Sequence, residues 1–137
     1  MNRDHFRKIS DTRVEEAGSL LENGFWAGAY YLIGYSVECA LKACVSKQVK
    51  KFDFPDKELT KNAYTHDLEK LVKTSGLWPV LENERKLNSN LELNWAIVKD
   101  WNEASRYETN ITEQQAKDLF FACTGRNGIL PWIRKRW

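Results

Sequence analysis

The stretch Phe25-Trp-Ala-Gly-Ala-Tyr-Tyr-Leu-Ile-Gly-Tyr-Ser-Val-Glu-Cys-Ala-Leu-Lys-Ala-Cys-Val45 is almost wholly apolar and carries one carboxylate, Glu38, near its middle. It reads as a long helix over residues 25–50, apolar on nearly all sides at its start, as expected of the central member of a bundle. It turns basic at Lys47, Lys50 and Lys51, where cations suit the negative end of a helix. Burying a lone carboxylate is costly, so a chain that sets Glu38 among Tyr35, Val37, Cys39 and Leu41 must give it a partner or a use.

Working outward, residues 11–23 predict a preceding helix, with Ser10 or Asp11 as cap, Val14, Ala17, Leu20 and Leu21 at helical spacing, and Gly24 closing it. Residues 52–55, which include Pro55, break the central helix. After a polar connection, residues 65–72 predict a short third helix with Thr65 as N-cap, Asp67 in the first turn and Gly76 beyond its end. Residues 83–100 predict a fourth, with Leu87, Leu91, Trp95 and Val98 on its apolar face and Asn94 near the centre of that face. Residues 101–108 read as a turn or frayed end. Thr112 and Gln115 have capping-box spacing ahead of the stripe Ala116, Leu119, Phe120, Cys123, which predicts a fifth helix. Residues 125–128 interrupt it, and a last turn or two over 129–137 tolerates Pro131 in its first turn. Nothing alternates with period two. The expectation is an all-α protein, an up-and-down helical bundle of four main helices plus one or two short helices, in a single domain over 1–137.

The chain has 21 Lys and Arg against 19 Asp and Glu, so its net charge of +2 gives no global reason to expect nucleic acid. Locally, Arg134, Lys135 and Arg136 with Arg126 form a basic patch, which serves a phosphate or merely the end of a helix. Three cysteines, Cys39, Cys44 and Cys123, without Cys-x-x-Cys spacing, fit a reducing cytoplasm. Two histidines, His5 and His66, are too few for an ordinary zinc site, and no metal or cofactor is expected. The longest apolar run contains Glu38 and Lys42 and is too short to span a bilayer, so no membrane association is expected.

At about 100° per residue, Tyr31, Tyr35, Glu38 and Lys42 share one face of the central helix and make the best site candidate. In the plainer reading, Glu38 pairs with Lys42 and accepts hydrogen bonds from a tyrosine or from Asn94. Arg106 and Tyr107 sit where a guanidinium can meet a phosphate and a ring can stack on a base. Alternatively, Arg106 caps a helix and pairs with Glu38 or Glu103. His66, placed in the first turn of a helix, is expected to be neutral, packing or accepting a proton.

The segments Gly28-Ala-Tyr-Tyr-Leu-Ile-Gly-Tyr-Ser-Val-Glu-Cys-Ala-Leu-Lys-Ala43, Thr65-His-Asp-Leu68, Ser105-Arg-Tyr107 and Leu130-Pro-Trp-Ile-Arg-Lys-Arg-Trp137 together resemble the HEPN domain (higher eukaryotes and prokaryotes nucleotide-binding) over nearly the whole chain. The resemblance implies a bundle of four or five helices, a homodimer, and partnership with a small nucleotidyltransferase. In many members it also implies a metal-independent RNase acting as the toxin of a toxin–antitoxin pair. There an Arg-x4-6-His motif and a polar residue of the second helix do the chemistry. Glu38 matches that polar position and Arg106 the arginine, which makes them the catalytic candidates. The histidine would fall at Ile111, Thr112 or Glu113. Before His66 the arginine positions hold Leu59, Thr60 and Lys61, and His5 lies too near the terminus. Without an imidazole the usual proton-transfer group is missing. The departure favours a non-catalytic nucleotide- or RNA-binding module using Tyr31, Tyr35, Glu38, Lys42, Arg106 and Tyr107. The alternatives are a divergent RNase and a protein-interaction module presenting Trp26, Trp132 and Trp137 to its partner.

Overall fold

The computed structural model describes residues 2–51 and 57–137, and the break expected at 52–55 lies outside them. The protein is an all-α helical bundle; among the described residues there is no strand. Helix α1, Arg3–Glu22, starts a full two turns before the expected boundary because Asn2, whose side chain accepts the His5 N–H at 2.9 Å, is its cap. Ser10, expected as a cap, lies buried in mid-helix and donates to the Ser36 carbonyl at 2.8 Å, tying α1 to the next helix. Gly24, at φ +80°, turns the chain straight into α2, Trp26–Lys51.

Helix α2 is the axis of the molecule. Ile33, Val37 and Leu41 are fully buried, in one apolar cluster with Ala17 of α1. A short helix within the expected polar connection, α3, Lys57–Ala63, buries none of its residues. Helix α4, Leu68–Thr74, adds Leu68, Leu71 and Val72 to the core and ends at Ser75 and Gly76, the latter at φ +79°. Its N-cap is Asp67, which accepts the Lys70 N–H at 3.0 Å, rather than Thr65.

The fourth helix expected over 83–100 is two. Helix α5, Trp78–Leu87, stops at Asn88, whose extended backbone and side-chain carbonyl, accepting from Asn90 and Leu91, cap α6, Ser89–Val98. One ionic contact spans the break: Arg85, which lies 3.0 Å from Glu82 of its own helix, is also 2.7 Å from Glu92 of α6. Turning the axis at Asn88 keeps Leu91, Trp95 and Val98 inside but leaves Leu87 82% exposed, against the sequence expectation. Asn94 is half-buried and donates to the Asn127 carbonyl at 2.8 Å. A 3-10 turn, Glu103–Tyr107, follows the buried Trp101. Helix α7, Glu113–Thr124, has the expected capping box between Thr112 and Gln115, and Ala116, Leu119 and Cys123 face inward. Helix α8, Ile129–Arg134, accommodates Pro131 in its first turn, where a missing N–H costs nothing. Both α7 and α8 pack on α2.

Candidate functional site

Glu38 is 1% exposed at the middle of α2. Lys42, one turn on, places its Nζ 3.1 Å from Glu38 Oε2, as the i, i+4 spacing predicts. The second partner was not foreseen: Nδ1 of His66 lies 3.0 and 3.1 Å from the two carboxylate oxygens, and its Nε2 lies 2.9 Å from Glu103 Oε2. Neither a tyrosine nor Asn94 takes the role expected of it beside Glu38, since Asn94 is engaged with Asn127.

Local chemistry holds the ring there. Thr65 Oγ1 accepts the Asp67 N–H at 3.2 Å and Asp67 caps α4, so His66 is pinned in the bend just before the helix instead of in its first turn. On the other side, Asn102 accepts the Ala104 N–H at 2.9 Å, which caps the 3-10 turn and sets Glu103 against the imidazole. With both ring nitrogens facing carboxylate oxygens, only the doubly protonated ring donates to both. The ring thereby bridges α2 and the 3-10 turn.

The tyrosines form a second layer. Tyr31 and Tyr35 stack at 6.0 Å between centroids, and Tyr31 stacks on Trp101 at 6.1 Å. Gly34 makes room for that indole, since a Cβ there would lie 2.2 Å from it. Burial, followed by the neighbouring Cys39 and Glu38, pushes the Tyr35 phenol up to about 12, so it stays protonated.

A cavity of about 420 Å³ opens on this face, with Tyr35, Glu38, Lys42 and His66 on one wall and Leu59 and Tyr64 of the α3 region opposite. That volume lies within the ~300–1,000 Å³ of small-molecule sites. Tyr64 is 77% exposed at its mouth. Of the residues singled out from sequence, Tyr35, Glu38 and Lys42 meet in this cavity and Tyr31 backs it. Arg106 and Tyr107 do not line it. Both are exposed on the 3-10 turn, the guanidinium lies over the Tyr107 ring at 5.1 Å, and Glu38 and Glu103, the pairings considered for Arg106, are engaged with His66. Trp132 is buried, and Trp26 and Trp137 are half-buried, so none is the projecting aromatic a docking face was expected to use.

What the sequence did not foretell is that His66 joins Glu38 and Glu103. The usable signal was demand: a buried carboxylate needs cations, and Thr65-His-Asp67 is a histidine flanked by two turn-forming side chains that fix its direction. Among the described residues no group of three His, Cys, Asp or Glu is arranged to hold a metal, and no helix is long and apolar enough to cross a membrane. Comparison with protein-family models, with curated proteins and with solved structures gave no match.

Proposed function

We propose that this chain is a HEPN-like binding module that takes a nucleotide or an RNA nucleotide unit in the cavity between α2 and α3. In this reading it works in the cytoplasm as a homodimer beside a nucleotidyltransferase or within a toxin–antitoxin pair. The observation that carries the reading is the cavity itself, which joins aromatic walls to a charged floor. Tyr35 and Tyr64 offer rings to a base, and Lys42 and the His66 ring offer polar groups to a phosphate or a ribose. The all-α bundle and the resemblance of the α2 segment support it further. Arg106 and Tyr107 stay outside the cavity and belong to this reading only as contacts to the rest of a longer RNA.

Tyr64→Ala tests it cleanly because the side chain is exposed and contributes little to folding. Calorimetric titration with adenine and uracil nucleotides should show binding by the parent. Tyr64→Ala and Lys42→Ala should lose it, with the melting temperature of Tyr64→Ala unchanged. Equal binding by parent and Tyr64→Ala refutes the assignment.

A second reading, a metal-independent ribonuclease, draws on one observation: His66 supplies beside Glu38 the imidazole that Arg-x4-6-His spacing does not provide. A carboxylate-held imidazole can move a proton from or to a ribose hydroxyl. Cleavage of structured RNA in chelator, lost in both His66→Ala and Glu38→Gln, would favour this reading over simple binding; intact RNA counts against it.

A further inference from the structure

The basic residues near Trp137, grouped by sequence into one patch, are sorted by the structure into paired and unpaired. Arg134 is taken by Asp11 at 3.0 Å. Arg136 is taken by Glu84 at 3.0 Å and lies over the Trp132 ring at 4.2 Å. Arg126 and Lys135 are exposed, and among the described residues neither has a carboxylate partner. Lys47, also exposed, donates to the Arg136 carbonyl at 3.2 Å and likewise faces no carboxylate.

These three cations line two adjoining grooves. One, of about 380 Å³ between α5 and the α7–α8 connection, includes Arg126, Lys135 and Arg136; the other, of about 350 Å³ against the end of α2, includes Lys47, Lys135 and Arg136. Lys135 and Arg136 belong to both, so the two grooves lie side by side across these two side chains. Among the described residues they contain four cations and a single carboxylate, Glu84, which Arg136 already neutralises. On a chain whose whole net charge is +2, this is a local excess of positive charge.

We propose that the two grooves form one track for the phosphodiester backbone of a single-stranded nucleic acid, separate from the cavity on α2. Concave walls of this size admit a strand, not the convex face of a duplex. Among the described residues the lining holds one aromatic, Trp132, which is buried and has Arg136 over its ring, so it leaves no platform for base stacking. Recognition is therefore of phosphates, without base sequence.

The test is fluorescence anisotropy with labelled oligouridine, oligoadenine and oligothymidine of about 12 nucleotides, a length within the range of single-strand sites. Salt is varied from ~50 to ~200 mM. With three uncompensated cations the parent should bind all three probes alike, with log K falling against log salt at a slope of about −2. Arg126→Ala/Lys135→Ala, both exposed positions, should keep the parent's circular dichroism, weaken binding about tenfold and flatten the slope by about 1.4. The track is overturned if the parent binds none of the probes, if the double variant binds with the parent's affinity and slope, or if one base sequence is preferred by more than about tenfold. Oligonucleotide binding measured with saturating mononucleotide present separates this site from the α2 cavity: retention of the salt-dependent binding supports the track, and its loss there with retention in Arg126→Ala/Lys135→Ala overturns it. Failure of the nucleotide titration leaves this outcome untouched, because the variants do not overlap.

Discussion

Glu38 illustrates how much a single buried charge demands. It is held by one ammonium from its own helix and one imidazole from a distant bend, and those two partners differ in what they can recover if it is lost. Lys42 is 14% exposed, so Glu38→Gln leaves a nearly buried cation without a counter-charge, whereas His66, 48% exposed, reaches water. Urea unfolding should therefore show Glu38→Gln losing about 3 kcal/mol and His66→Ala only about 1 kcal/mol. Equal losses would mean that the imidazole, not the ammonium, carries the carboxylate. The cysteines make a second residue-level case. Burial pushes the Cys39 and Cys44 thiols from an ordinary 9.0 up to about 11, and Cys123 higher still. A thiol whose pKa is raised by folding contributes stability that is intact below about pH 9 and is lost as pH rises through about 11, because the unfolded chain releases its protons first. The melting temperature should fall across that window. A thiol reagent at pH 8 should label the native protein slowly and the unfolded protein at once; fast labelling of the native state would contradict this burial.

At the scale of elements, Asn88 decides the shape of one side of the bundle. Its side chain accepts two N–H groups at the start of α6 and donates to Asn127 at 3.2 Å, so one residue ends α5, starts α6 and anchors the α7–α8 connection. Replacing it with alanine should cost about 1–2 kcal/mol in chemical denaturation, near the upper end for a cap. The corresponding loss at Thr112, an exposed capping box with no tertiary contact of this kind, should be nearer 1 kcal/mol. If the two alanine variants lose the same amount, the Asn127 contact adds nothing. The periodic pattern across residues 83–100 continues through Asn88 without interruption, which is why the sequence alone suggested one helix. The break follows from the local Asn88 cap, and it is the Asn88–Asn127 hydrogen bond, made with a segment far along the chain, that fixes how α5 and α6 are set.

Across the whole molecule, burial predicts a gradient of local stability. Helix α2 is packed by α1, α4, α7 and α8, while α3 buries none of its residues. Native-state hydrogen exchange should find the amides of Ile33, Val37 and Leu41 protected to nearly the global unfolding free energy and those of α3 exchanging fastest among the helices. Comparable protection of α3 would mean that the wall of the α2 cavity is fixed. The sequence by itself determined the helical class, the central place of the apolar segment with Glu38, the inward stripe of α7, the capping box at Thr112 and the Glu38–Lys42 pair. Each of these depends on residues within a few positions of one another, where periodicity and short-range hydrogen bonding act. Only the tertiary structure decided that His66 and Glu103 join Glu38, that Arg106 stands apart from it, that Trp132 turns inward, and that Arg134 and Arg136 are neutralised while Arg126 and Lys135 are not. Those outcomes depend on partners from 28 to 123 residues away along the chain, and the spacing of side chains on one helix has no bearing on which other helix arrives beside it.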